Sequence, residues 1–252
     1  MSAGVLYRWR ADSLEQLDYC DPAETDVLAA DSWLVDDGRT LALDLHRDRF
    51  LEHAPGAESF WDAVVAALPR EGRWFPRVEL QRVRGADSLV YRERTAPEPS
   101  TSVVVATHPS DPRTSPGVKG PDLERMTAVR TLAQSRGAGE AVILSDGYVV
   151  EGAYSAILWW RGDILCGPPA DFARVDSVTA RSVLGLATAL GVDTYEEAVT
   201  PAELDGCEVW ALSALHGPRI VTQWVDGPQL AERPGRLRTW RARLDALRKP
   251  LP

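Results

Sequence analysis

Apolar positions along the chain switch between two spacings, and the switches mark out its elements. Residues 32–44, SWLVDDGRTLALD, predict strand, turn and strand, because an Asp-Gly pair supplies the positive φ of a tight hairpin. Residues 46–54 and 58–70 then carry helical spacing, the second with Phe60, Val64, Ala67 and Leu68 on one face. WFPRVELQRVR and SLVYRERTA predict a strand pair, and TSVVVATH (101–108) a further strand. Residues 108–121, HPSDPRTSPGVKGP, hold four prolines and two glycines in 14 residues, a composition that no regular element tolerates. That stretch marks a linker, so the chain divides into a first domain at 1–108, a linker at 109–120 and a second domain at 121–252.

Helical spacing returns at residues 121–137. Pro121 suits a first turn, Leu123, Met126, Val129 and Leu132 make a stripe, and Gly137 stops the helix. Residues 140–167 predict three short strands with turns at Asp146-Gly147 and Gly162-Asp163. A helix ended by Gly191, a short helical turn at TPAELDG and the strands EVWALSALHG and RIVTQWVDG follow. In RLRTWRARLDALRK the residues Leu237, Trp240, Leu244 and Leu247 recur at helical spacing, so this basic cluster reads as the solvated face of a helix.

Composition narrows the classes. A chain of 252 residues with 44% hydrophobic and 26% charged positions is globular, and no apolar run is long enough to span a membrane. A net charge of −9 argues against nucleic acid, whose binders neutralise phosphates with basic patches. The N-terminus shows no apolar core of a secretion signal. Cys20, Cys166 and Cys207 are widely spaced, with no zinc or disulfide pattern, which fits a reducing cytoplasm. Cys166 and Cys207, in apolar company, are expected to be buried. The four histidines have no metal spacing, so no metal is expected.

Of 28 basic residues only two are lysines, Lys119 and Lys249. Lys249, in the terminal KPLP, is expected to fray. Lys119 stands in the linker, and lysine, unlike arginine, can form a Schiff base and release a proton near neutral pH. Glu151 ends an apolar strand. Such an acid is commonly solvated, but it can also hold a ring nitrogen protonated. Ser177 and Thr179 open a helix, where amides and hydroxyls make a phosphate site or simply cap it, and Asp176 beside them disfavours an anion. Arg49 reads as one surface arginine among many.

A lysine, an acid and an anion site are the parts a pyridoxal phosphate enzyme needs. In order along the chain, GAGEA (137–141), SDGYVVEG (145–152) and CGPP (166–169) follow VKGPDLERM. This sequence resembles the class IV aminotransferases, which include branched-chain and D-amino acid aminotransferases and aminodeoxychorismate lyase. The resemblance covers residues 118–227 well and 31–50 more loosely. It implies an α/β (α+β) fold of type IV, with a smaller N-terminal α/β domain, a C-terminal mixed-sheet domain and pyridoxal 5′-phosphate in the cleft. It further implies that Lys119 carries the cofactor and moves the Cα proton, while Glu151 faces the pyridine nitrogen. Arg49, in the position of the family's His-x-x-Arg, would bind the phosphate, joined by Val178, Thr179 and the loop of Ser213 or Ala214. Family members are usually homodimers acting on small amines or amino acids.

Departures from the family pattern bear on substrate. AETDVLAADSWLV (23–35) stands where the family has Phe-x-x-Gly-Asp-Gly-x-Phe-Glu, Ser177-Val178-Thr179-Ala180 replaces Gly-Ile-Thr-Arg, and Ala156 replaces an asparagine. Three functions follow as alternatives. Transamination is favoured by the family's habits, and an aminodeoxychorismate lyase releasing pyruvate by the wording of VKGPDLERM and SALHG. A non-catalytic binding protein is suggested by the altered N-terminal motif.

Overall fold

The computed structural model describes residues 4–17 and 25–252; Cys20 lies outside them. Its contacts divide the chain into two α/β units: residues 1–98 with 118–121 and 247–252, and residues 99–117 with 122–246.

The first unit opens with β1 (Val5–Arg10) and β2 (Ser13–Gln16), then β3 (Thr25–Ser32), β4 (Val35–Asp36) and β5 (Arg39–Thr40). Helices α1 (Leu43–His53) and α2 (Glu58–Ala67) follow, then β6 (Arg73–Trp74), β7 (Arg77–Val83) and β8 (Ala86–Glu93). An antiparallel sheet runs in the order β2-β1-β8-β7-β3. Strand alternation gives it two unlike faces. Tyr7, Trp9, Val78, Leu80, Leu89 and Tyr91 pack on Phe50 of α1 and on Phe60, Trp61 and Val64 of α2. Apolar burial of this kind, about 25 cal/mol per Å², is what holds the helices to the sheet. The other face carries Arg8, Ser32, Arg77, Glu79, Gln81 and Arg92. The predicted hairpin is β4–β5, with Asp37 at φ 45° and Gly38 at φ 70°, the left-handed pair its turn demands. On α2 the buried set is Phe60, Trp61, Val64 and Val65; Ala67 faces solvent.

The expected fraying at Lys249 is corrected. Lys249–Pro250 forms a strand on β5, the Leu251 amide donates to Gly38 O at 2.8 Å, and Leu251 is buried in the first unit's core. Two backbone pairs and one apolar anchor outweigh the fraying of a short terminus. Leu251→Ala is expected to lower stability by about 2 kcal/mol, read by urea denaturation.

The second unit begins with β9 (Ser102–His108), which the sequence reading places in the first domain but which pairs in parallel with strands of this unit. It continues through α3 (Leu123–Ser135), β10 (Glu140–Ser145), β11 (Tyr148–Gly152), β12 (Ala156–Arg161), β13 (Ile164–Gly167) and α4 (Val178–Ala189). Then come β14 (Thr194–Glu196), a 3₁₀ turn at Pro201–Leu204, β15 (Glu208–Ser213), β16 (Gly217–Val225) and α5 (Arg236–Ala246). Residues 140–167 hold four strands, not three. The mixed sheet runs β11-β10-β9-β16-β15-β12-β13-β14 around a core that includes Trp159, Val209 and Trp224.

Two stripes also differ from the periodicity. On α3 the buried residues are Met126, Val129 and Ala133, while Leu132 is 56% exposed. On α5, Leu237, Trp240 and Leu244 are buried, with Trp240 edge-on to Trp160 and Trp210, and Leu247 is exposed. The arginines of α5 thus lie on a helix anchored by its apolar side. Among the described residues no helix is long and apolar enough to cross a membrane. Cys166 and Cys207 are unpaired and buried as expected, and burial with nearby Glu197 pushes the Cys166 thiol up to about 11.

Candidate active site

Lys119 and Arg49 come together in the first unit. The segment 118–121 lies along the outer edge of β3, where Ala30 N donates to Lys119 O at 2.6 Å. Gly120 makes this approach possible: at φ +127°, an added Cβ would sit 2.8 Å from Ala30 N. The lysine is therefore seated through its backbone carbonyl.

One residue along, β3 turns Asp31 toward α1. Arg49 donates from Nε to Oδ2 at 2.7 Å and from the guanidinium NH2 to Oδ1 at 2.8 Å, a bidentate clamp that fixes its plane. His46 Nδ1 lies 2.8 Å from Oδ1, and the Ser32 amide donates to the same oxygen at 2.6 Å. Burial opposes the charge on Asp31, but His46 and Arg49 outweigh it and hold the carboxyl well below the usual range. For His46 burial prevails: with Arg49 and Lys119 adding to it, the imidazole is held below its ordinary value despite Asp31.

The depressed His46 has a consequence for stability. Below about pH 6.5 the unfolded chain takes up a proton that the folded imidazole resists, so stability is present above that pH and lost as pH falls. Wild type is expected to lose up to about 1.4 kcal/mol per pH unit more than His46→Asn as pH falls from 6.5 to 5, read by urea denaturation. Parallel curves would contradict it.

The remaining candidates lie in the second unit. Glu151, buried at the end of β11, accepts from Val175 N at 3.1 Å and from Arg113. Arg113 is in turn clamped by Asp111, through Nε at 2.9 Å and NH2 at 2.7 Å. Burial disfavours the Arg113 charge, but Asp111 and Glu151 more than compensate, so its pKa is raised. The proline-rich stretch is thus an ordered loop. Asp122 orders it further, accepting from Thr114 N and Oγ1 at 3.0 Å and from Ser115 N at 2.8 Å.

Ser177 is the N-cap of α4, its Oγ accepting from Ala180 N at 3.2 Å. The amides of Val178 and Thr179, in the first turn, have no intrahelical acceptor by helix geometry. Asp176 is turned onto Arg181 at 3.0 Å, so its charge is partly answered locally. Ser213 ends β15, its Oγ accepting from His216 N at 3.2 Å, and Ala214 lies in the turn that follows.

Sequence reasoning missed Asp31, Asp111 and Arg113. The first was signalled by a lone carboxylate in the apolar run VLAAD, since a buried strand acid must be paired. Asp111 and Arg113 carried no local signal, because Arg113 meets Glu151 38 positions away.

A family model for amino-transferase class IV matches residues 28–224. The chain belongs to this family. Class IV aminotransferases are enzymes that use pyridoxal phosphate. Among solved structures, a fold IV transaminase from Curtobacterium pusillum superimposes with a TM-score of 0.83 at 20% identity, covering 97% of this chain and 98% of that one. A branched-chain aminotransferase from Thermoproteus uzoniensis gives 0.81 at 18%, covering 99% and 100%. A hypothetical aminotransferase from Mycobacterium tuberculosis in a pyridoxal-phosphate-bound form gives 0.79 at 20%, covering 96% and 98%. No curated protein matches the sequence.

The donor set of this class IV chain suits that cofactor. A lysine, a buried carboxylate, a fixed guanidinium and the amides and hydroxyl opening α4 are the chemical partners that an aldehyde, a ring nitrogen and a phosphate require.

Proposed function

We propose that this class IV enzyme is an aminotransferase that moves an amino group between a primary amine or amino acid and a keto acid. Lys119 is its covalent anchor and proton carrier. The observation that carries this reading is the seating of Lys119: backbone-bonded to Ala30, next to the residue that clamps Arg49. Lys119 would hold the cofactor through its Nζ and would move the proton at the substrate Cα. Glu151 keeps the pyridine nitrogen cationic, and Arg113 with Val175 N fixes the orientation of that carboxylate. Arg49, Val178, Thr179, Ser213 and Ala214 hold the phosphate. The cofactor supplies the electron sink for the carbanion at Cα. We further propose a homodimer in the reducing cytoplasm, which the unpaired cysteines suit.

Incubation of the loaded enzyme with amine and keto acid pairs tests the reading. Keto acid formed only when an amino acceptor is present supports transamination. Pyruvate released from aminodeoxychorismate with no acceptor would overturn it in favour of a lyase.

A further inference from the structure

Inside the second unit, β10 opens on a carboxylate that its apolar neighbours do not require. Glu140 is buried, Oε1 accepting from Ala141 N at 3.0 Å and Oε2 from Ser155 Oγ at 3.1 Å. Arg219 NH2, on β16, lies 3.8 Å from Oε2. Among the described residues this is the only ion pair of either side chain, and Arg219 Nε, also buried, has no hydrogen-bond partner. Burial pushes the Glu140 carboxyl up, although Ala141 N, Arg219, Arg130 and Ser155 act against it. Burial likewise pulls Arg219 down, with Arg130 and Arg241 adding to it despite Glu140. A buried pair at this separation recovers little of its desolvation cost, and apolar residues of similar volume would hold the fold as well or better.

What each partner adjoins supplies a reason. Ser155 closes the turn after Glu151: its carbonyl accepts from Gly152 N at 2.6 Å. Gly152 leaves room for Ser155 Oγ, which a Cβ there would strike. Ala153 N donates to Ala141 O at 2.9 Å, so the same turn is fastened to β10. On the other side, Arg219 stands two residues past Gly217, which pairs with Ser213 at the foot of the turn carrying Ala214. The strand order is β10-β9-β16, and neighbouring strands are about 4.8 Å apart, so Glu140 and Arg219 meet across roughly 10 Å of backbone. One carboxylate is thus bonded to the turn behind Glu151 and paired with the strand that leaves the Ser213–Ala214 turn.

We propose that Glu140 is a positioning residue for the cofactor: through Ser155 it sets the Glu151 carboxylate against the ring nitrogen, and through Arg219 it sets the Ser213–Ala214 turn against the phosphate. The inference rests on the roles given to Glu151 and to that turn under the aminotransferase reading. Neither effect needs Glu140 to touch the cofactor. A single buried acid holds the two grips at a fixed spacing, which independent turns would not.

The test compares Ser155→Ala, Arg219→Met and the double variant Glu140→Gln/Arg219→Met, with Glu151→Gln as reference. Two readouts accompany the melting temperature: the visible absorption maximum of bound pyridoxal phosphate, and the affinity of apoprotein for inorganic phosphate. Ser155→Ala is expected to move the maximum in the sense that Glu151→Gln does, by a smaller amount, with phosphate affinity unchanged. Arg219→Met is expected to weaken phosphate binding roughly three- to ten-fold and to leave the maximum in place. The double variant removes the buried charges together, so it should fold and show both changes. If Arg219→Met fails to fold with Glu140 left unpaired, the double variant carries the phosphate arm. A lower melting temperature with both readouts at wild-type values would overturn the proposal, as would both readouts moving together in each single variant. If Glu151→Gln leaves the maximum in place, the functional reading of Glu151 fails and takes this inference with it. If Glu151→Gln moves the maximum and Ser155→Ala does not, the inference alone fails.

Discussion

Lys119→Ala is expected to lose all covalent attachment of pyridoxal phosphate and to lower turnover by at least about 10³-fold. The only other lysine, Lys249, is committed to the terminal strand on Thr40, and no arginine can form the same bond. Lys119→Arg should therefore fail as completely, although it keeps the charge. The fold should survive both changes, because the contact that seats the segment uses the Lys119 carbonyl and the Ala30 amide, which substitution leaves in place. A melting temperature near wild type, with activity and covalent cofactor gone, is the expected pattern in a thermal scan paired with an activity assay.

Asp31→Ala should damage the protein differently. The fully buried carboxylate is bonded by Arg49 twice and by the Ser32 amide, and faces His46. Removing it leaves a guanidinium and an imidazole without their shared partner, which for a buried pair costs about 3–5 kcal/mol. Arg49 also loses the clamp that fixes its plane, so cofactor affinity should fall along with stability. Urea denaturation of apoprotein separates the two effects. A loss below about 1 kcal/mol would show that the pair contributes no more than a surface ion pair.

Much of the fold was legible because its signals are local. The Asp37-Gly38 turn, the β7–β8 pair and the stop at Gly137 each depend on residues within a few positions. What escaped depends on distant partners. TSVVVATH reads as a strand from its own composition, but only pairing with β10 and β16 assigns it to the second unit. KPLP looks like a loose end until β5 is placed beside it. On α3, Leu132 lies a residue short of the buried stripe because a period of 3.6 drifts from simple 3-residue steps, and Ala133 takes the inward position.

The site divides in the same way. Lys119 stood out through the rarity of lysine, and Glu151, Arg49 and Thr179 through family resemblance. Asp31 and Arg113 have meaning only through what they touch: Arg49 and Glu151. Strand pairing and loop closure bring those partners together, and neither is written in the residues nearby.

The most direct measurement is peptide mapping by mass spectrometry after borohydride reduction of the protein loaded with pyridoxal phosphate. Reduction makes the link to the lysine permanent, so the modified residue can be read. The account predicts a phosphopyridoxyl group on the peptide containing Lys119 and none on that containing Lys249. Modification at Lys249 alone, or of neither lysine in a protein that keeps its fold, would contradict it.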